Sequence, residues 1–301
     1  METIIKVNSI SQLHEMLNMD TPKHPLITII DVADVEVTQE MVDIKVVTDL
    51  YCIALKDVHC GMEYGRNSYD FENGALIFTA PLQAFTATKP VEKNENKGWM
   101  LFFHPSFLKK SHLSQKMSQY YFFEYHANEA LHLSTSERNT LNDIISNIQK
   151  EYTENIDCHS QKVIISNLEL MLNYSLRFYE RQFKTRNIVH QGIVVKFEKI
   201  VNSWIGENLL AEKGIPTVQD IAEKINLSPN YLSDVLRKKT GISAKDYINN
   251  LMIRKAKAML LSSTNSVSEI AYLLGFNYPH YFTRFFKSKT GTTPTEYRRV
   301  N

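Results

Sequence analysis

Hydrophobic positions along this chain change their period part-way through. Up to about Leu108 they gather in short β-branched and aromatic runs: Leu26 to Val37, Tyr51 to Leu55, Ala75 to Ala80 and Trp99 to Phe103. Turn-forming clusters lie between them, Tyr64-Gly65-Arg66-Asn67-Ser68 and Phe71-Glu72-Asn73-Gly74. Asn-Gly ahead of a strand signals a tight turn. The polar stretch Lys89 to Gly98 predicts a loop. Short strands at this spacing predict an antiparallel barrel or jelly roll.

After Leu108 the period becomes helical. Ser134-Thr135-Ser136-Glu137 reads as a capping box, in which hydroxyl and carboxylate satisfy free N–H groups reciprocally. Leu141, Ile144, Ile145 and Ile148 follow at helical spacing. A second helix is predicted over Gln161 to Phe183, with Ile164, Ile165, Leu168, Leu172 and Leu176 on one side. These two helices could pack on the barrel or form a dimer seam, and the pattern leaves both open. Polar Lys184 to Gln191 marks a boundary. A helix over Val194 to Leu210, carrying Phe197, Ile200, Val201, Trp204 and Ile205, then opens a second domain. The predicted domains are residues 1–186 and 187–301.

That second domain contains one pattern twice. The copies begin Thr217-Val218-Gln219-Asp220-Ile221-Ala222 and Ser266-Val267-Ser268-Glu269-Ile270-Ala271, 49 residues apart. Each opens with a hydroxyl cap and a carboxylate three residues on. Val218, Ile221, Ala222 and Ile225 match Val267, Ile270, Ala271 and Leu274. The small Ala lets a second helix cross closely. Asn226 and Gly275 then match as residue types that enter the left-handed region at least cost. Leu227 and Phe276 anchor the turns. Ser228-Pro229 caps a second helix, and Pro279 takes the same place after one extra residue. Leu232, Val235 and Leu236 repeat as Phe282, Phe285 and Phe286. Both second helices leave through basic residues to a glycine: Arg237-Lys238-Lys239-Thr240-Gly241 and Lys287-Ser288-Lys289-Thr290-Gly291. Tyr247 and Tyr297 close the copies.

Helix, tight turn, helix is the plan of a DNA-reading module. The outward positions carry Asn230, Tyr231, Ser233, Asp234 and Arg237 in the first copy, and His280, Tyr281, Thr283 and Arg284 in the second. Such side chains on a helix's first turns suit base edges in the major groove. Charge supports this. Residues 187–301 hold 16 Lys/Arg against 9 Asp/Glu, while residues 1–186 hold 18 against 24, although the whole chain is only +1. Such asymmetry suits a polyanionic partner for one half. Lysine and arginine at a helix C-terminus also complement the macrodipole, which accounts for part of the basic exits without DNA.

The 301 residues suit two domains, and 43% hydrophobic with 22% charged residues is a globular balance. No apolar run of about 18 residues predicts a membrane helix. The first twenty residues do not read as a secretory signal. Cys52, Cys60 and Cys158 are odd in number and widely spaced, as free thiols in a reducing compartment would be. A cytoplasmic protein is expected.

From about Val194 to Arg299 the sequence resembles the AraC-type transcription regulators. The resemblance rests on Ile270-Ala271 through Gly275-Phe276, Tyr281-Phe282 through Phe285-Phe286-Lys287, then Thr290-Gly291, Pro294 and Tyr297-Arg298. It implies an all-α domain of seven helices, with a long helix near Ala244 to Leu261 joining two helix-turn-helix units. The second helix of each unit would enter adjacent major-groove segments about 34 Å apart. Asn230, Ser233, Asp234 and Arg237 would face bases or flanking phosphates in one segment, and His280, Tyr281, Thr283 and Arg284 in the other. Arg254, Lys238, Lys287 and Ser288 would hold phosphates. Asp234 is unusual, because a carboxylate repels phosphate and can only accept a hydrogen bond, for example from cytosine N4.

The first half resembles the family's cupin-like sensory barrel, through Phe102-Phe103-His104-Pro105-Ser106-Phe107-Leu108. This implies effector binding or dimerisation there. The expected fold class is therefore α+β in two domains, a cupin-like β-barrel with a helical extension followed by an all-α domain. The expected partners are double-stranded DNA, a second copy of the chain and a small-molecule effector, with no membrane. Metal-binding cupins carry His-x-His with a nearby Glu, and the sequence has no His-x-His. His59, Cys60 and Glu63 stand close together but read as loop or edge residues rather than a zinc site. No metal or other cofactor is expected. Tyr51, Tyr64 and Phe78 are candidates either for a pocket or for the core. The alternative reading is a cupin-type metalloenzyme with a helical appendage.

Overall fold

A computed structural model describes residues 4–56, 74–94, 97–126, 129–154, 157–185, 187–206 and 209–300. The chain divides into two compact units, residues 1–185 and 186–301.

Unit 1 runs β1 (Ile4–Val7), α1 (Ile10–Met16), β2 (Ile27–Asp31), β3 (Lys45–Thr48), β4 (Tyr51–Lys56), β5 (Ala75–Thr79), β6 (Ala84–Thr86) and β7 (Gly98–Phe103). Then come α2 (His112–Lys116), β8 (Leu131–His132), α3 (Thr135–Thr153) and α4 (Ser160–Thr185). One sheet has the order β1-β3-β6 and the other β2-β7-β4-β5-β8. Among the described strands the pairings are antiparallel except that of β1 with β3. The unit is thus β-rich with two open sheets, and closure into a barrel is not seen among the described residues.

Strand alternation gives the larger sheet two different faces. Cys52, Ala54, Met100 and Phe102 point into a core shared with Val7, Ile10, Leu13, Val46 and Leu50, and so bring the two sheets together. Their alternates meet aromatic residues and helices. Tyr51 stacks on Phe103 and meets Phe123 edge-on. The Trp99 indole donates to Asn142 of α3 at 2.9 Å. Tyr152 of α3 accepts from the backbone of Ile29 on the edge strand β2. On α4, Gln182 accepts from the His132 backbone N–H at 2.8 Å and donates to the Ala130 carbonyl at 3.2 Å, clipping the helix to β8.

Several expectations are corrected here. Leu26 to Val37 is not one strand: Asp31 accepts from the Ala33 N–H and turns the chain into a 3-10 segment. β1, α1, β3, β6 and β8 are additional elements. The Ser134–Glu137 capping box and the buried stripe of α3 form as expected. On α4, Leu176 is exposed, and Ser175, Tyr179 and Gln182 take places in the interior. Tyr51 and Phe78 sit among aromatic rings, away from the space between the sheets. Tyr64, His59, Cys60, Glu63, Asn73 and the turn clusters around them lie outside the described residues, apart from Gly74 (φ 85°).

Unit 2 is helical: α5 (Asn187–Gly206), α6 (Leu209–Lys213), α7 (Val218–Lys224), α8 (Pro229–Thr240), α9 (Ala244–Ser262), α10 (Val267–Leu273), α11 (Pro279–Thr290) and α12 (Pro294–Val300). Of the helix expected from Val194 to Leu210, residues 194–206 lie in α5 and 209–210 in α6, while 207 and 208 lie outside the described residues. One hydrophobic cluster spans the unit. Ile221, Ala222, Leu232 and Leu236 from the first repeat reach Ile270, Ala271, Phe282 and Phe286 from the second through Ile248, Met252, Ala256 and Leu260 of α9.

Candidate nucleic-acid interface

The two repeats fold by the same local chemistry. The Thr217 hydroxyl accepts from the Asp220 N–H at 3.1 Å, and the Asp220 carboxylate accepts from the Thr217 N–H at 2.7 Å. Ser266 and Glu269 repeat this at 3.2 and 2.6 Å. Hydrogen bonds to the charged form hold both carboxylates below their ordinary range, chiefly from the Thr217 side chain for Asp220 and from the Ser266 backbone for Glu269.

Each first helix then ends in a left-handed residue, Asn226 (φ 55°) or Gly275 (φ 81°). The next N–H, of Leu227 or Phe276, bonds back five residues to Ala222 or Ala271, at 3.0 Å in both copies. This six-to-one bond closes the helix end and turns the chain toward the second helix. Pro229 and Pro279 stand in the first turns of α8 and α11, and both helices stop at left-handed glycines, Gly241 (φ 79°) and Gly291 (φ 83°). Only the first has a side-chain cap, from Ser228; Tyr278 occupies that place in the second copy, where its carbonyl accepts from the Tyr281 N–H but its side chain caps nothing.

In α8, Arg237 and Lys238 are exposed and Asn230, Ser233 and Asp234 are partly exposed. Tyr231 corrects the outward set: it is only 5% exposed, and its hydroxyl lies 3.0 Å from Nε2 of His190 on α5. A buried hydroxyl needs such a partner, so the ring turns inward. In α11, His280, Tyr281, Arg284, Lys287 and Ser288 are exposed and Thr283 partly so. The Thr283 and Ser288 hydroxyls donate back to the Pro279 and Phe285 carbonyls, leaving oxygen lone pairs outward. Lys289 of the second basic exit instead reaches Asp246 of α9 at 3.2 Å. Arg254 is exposed on α9.

One residue was missed in the sequence. Tyr278, exposed and stacked on His280, extends the outward aromatic group that includes Tyr281. The one-residue insertion ahead of Pro279 is the signal that places it there. Among the described residues no three His, Cys, Asp or Glu side chains converge as a metal site would require, and no helix is long and apolar enough to cross a membrane.

The sequence profile of a helix-turn-helix domain family matches residues 221–300. The chain is 33% identical over 109 residues to the Msm operon regulatory protein of Streptococcus mutans, which covers 36% of this chain and 37% of that protein. It is 31% identical over 97 residues to the transcriptional activator RhaS of Salmonella schwarzengrund, covering 32% and 34%. The matched stretch thus spans about a third of these relatives' length. Among solved structures it is similar to the C-terminal domain of AraT, a response regulator from Geobacillus stearothermophilus, at 30% identity over 35% of this chain and 85% of that one, with a TM-score of 0.31.

Proposed function

We propose, from a C-terminal domain that belongs to the AraC family of helix-turn-helix regulators, that this chain is a sequence-specific DNA-binding transcription regulator of the cytoplasm. The observation that carries this reading is the repetition of cap, left-handed turn and second helix around one core. The two relatives described above are both named as regulators rather than as metalloenzymes.

In this reading α8 and α11 are the two reading helices. Asn230, Ser233 and Arg237 meet bases or flanking phosphates in one groove segment, and His280, Tyr281, Thr283 and Arg284 in the next. Asp234, facing the first segment, is limited to accepting from a base amino group. Lys238, Arg254, Lys287 and Ser288 contribute the sequence-independent grip on phosphate. Gel retardation with a selected duplex and a scrambled duplex tests the division of labour. Arg284→Ala should weaken the selected duplex by about 1–3 kcal/mol and relax preference at one position. Lys287→Ala should weaken both duplexes alike and lower the salt dependence. Equal binding of selected and scrambled duplexes by the unaltered protein would remove the reading.

Unit 1 is proposed as the sensory and dimerisation part, of cupin-like descent. Its two facing sheets, with space between them, suit effector binding. Val163 and Leu170 of α4, seven residues apart and so on one side of the helix, are exposed by 41% and 45% and offer apolar contact to a second copy. Sedimentation of the full chain at micromolar concentration tests the dimer, and a monomer there would reject it.

A further inference from the structure

The two helices proposed to read DNA open on different chemistry. Ser228, Asn230 and Tyr231 at the start of α8 match Tyr278, His280 and Tyr281 at the start of α11. In the first copy Ser228 is buried and its hydroxyl accepts from the Tyr231 N–H at 3.2 Å. Tyr231 is buried with it, against His190, so that turn shows the carboxamide of Asn230 to solvent. In the second copy all three side chains are exposed and all three are rings, with Tyr278 at 57% and Tyr281 at 53%.

Local sequence explains the contrast. The offset of 49 residues that aligns the first helices takes His190 to Lys239, inside α8 rather than in α9, so the second copy has no counterpart of His190 there. Tyr281 is left on the outside. Tyr278 holds extended backbone just ahead of α11, at φ −139° and ψ 132°. Its ring stacks on His280 with centroids 5.6 Å apart and planes at 27°. His280 lies 4.3 Å from Tyr281, and Tyr278 meets Tyr281 at 5.9 Å and 69°. Three rings that support one another are ordered before a partner arrives, which lowers the cost of ordering them on binding.

Base edges in the major groove are mostly hydrogen-bond donors and acceptors, and their apolar feature is the C5-methyl group of thymine. Ring faces serve donors and acceptors poorly, whereas a methyl group set against them leaves water at both surfaces. Thr283 and Arg284, further along α11, supply the polar contacts. We propose that Tyr278, together with His280 and Tyr281, recognises thymine methyl groups in the segment read by α11, with Tyr278 a specificity-determining residue. The segment read by α8 through Asn230 carries no such requirement. This deepens the reading of α11 as a DNA-reading helix and rests on it.

Gel retardation of a duplex selected by the full chain tests it, with each thymine replaced in turn by deoxyuridine, which removes the methyl group alone. One or more neighbouring thymines should lose about fourfold in affinity each, the weight of one buried methyl group. Tyr278→Ser, which installs the first copy's capping residue, and Tyr281→Ala should bind the thymine and deoxyuridine duplexes alike at those positions. Asn230→Ala should keep the fourfold difference. So should Tyr278→Phe, which retains the ring. Each variant meets both duplexes, so any effect of the methyl group on duplex shape cancels in the comparison. Full tolerance of deoxyuridine at every thymine, an undiminished difference in Tyr278→Ser, or its loss in Tyr278→Phe or Asn230→Ala would overturn the proposal. The deoxyuridine scan of the unaltered protein decides alone if a variant does not fold. Selective binding that ignores the methyl groups would sink this inference only, whereas absence of selective binding would sink the reading beneath it.

Discussion

Replacing Gly275 with alanine puts the second repeat's turn under two separate loads. The residue sits at φ 81°, where an L side chain is strained by about 1–2 kcal/mol. Its added Cβ would also lie 2.4 Å from the Leu210 carbonyl oxygen and 3.0 Å from the Gly214 Cα. Both obstacles are backbone, one within α6 and one just after it, so the turn and α6 must separate. Displacing packed structure in this way costs about 1–3 kcal/mol. The expected total is about 2–5 kcal/mol. Gly241 and Gly291 supply internal controls, with φ 79° and 83° and nothing within 4 Å of an added Cβ. Alanine there should cost only the conformational part. Thermal unfolding followed by circular dichroism gives the comparison, at about 4–6 °C per kcal/mol for a unit of this size. Trp204, whose indole donates to the Gly214 carbonyl at 3.1 Å, gives a local fluorescence signal of the same displacement. If Gly275→Ala lowers the melting temperature no more than Gly291→Ala does, the close approach to α6 is not what selects glycine at this turn.

Other outcomes follow from the same geometry. Tyr231→Phe should lower stability by about 1 kcal/mol through loss of its bond to His190, while leaving the ratio of selected to scrambled duplex binding unchanged; a changed ratio would return Tyr231 to the reading face. Thr217→Ala removes one half of a capping box and should cost about 1 kcal/mol in urea unfolding of the full chain; no shift in midpoint would deny the cap a role. Asp220, Asp246, Glu269 and Glu296 are all held below their ordinary range by hydrogen bonds at helix starts. For carboxylates depressed in the folded state, the stabilisation is complete above the unfolded value, near pH 4, and fades as pH falls through the folded values. Melting temperatures between pH 6 and pH 3 should therefore drop less steeply in a Thr217→Ala, Ser266→Ala double variant than in the unaltered chain. Identical slopes would speak against these caps as an acid-labile element.

The repeat was legible because its information is short-range. A cap, its carboxylate, a small crossing residue, a left-handed turn and a terminal glycine all act within a few residues of themselves, so their order in sequence is their order in space. What escaped depends on distant partners. Tyr231 looks like any outward tyrosine until His190 of α5 meets its hydroxyl in the interior. Lys289 looks like part of a basic exit until Asp246 comes within reach from α9. In unit 1, β3 and β6 are four and three residues long, too short for periodicity to distinguish from loop. The apolar run from Leu26 to Val37 hid the break that Asp31 makes by capping the turn that follows it. Lys56 was within reach of sequence reasoning. Carrying the alternation of Cys52 and Ala54 one step beyond the apolar run puts its side chain on the inner face.

α9 does more than connect. Its 19 residues make a rod about 28 Å long at the usual rise per residue, with side chains committed to the interior of both repeats. A flexible tether would let each reading head search for its own stretch of duplex. This rod fixes the gauge between the repeats, so, if they read DNA as proposed, a wrong base in either half of the operator should be forgiven more readily than a base pair added between the halves.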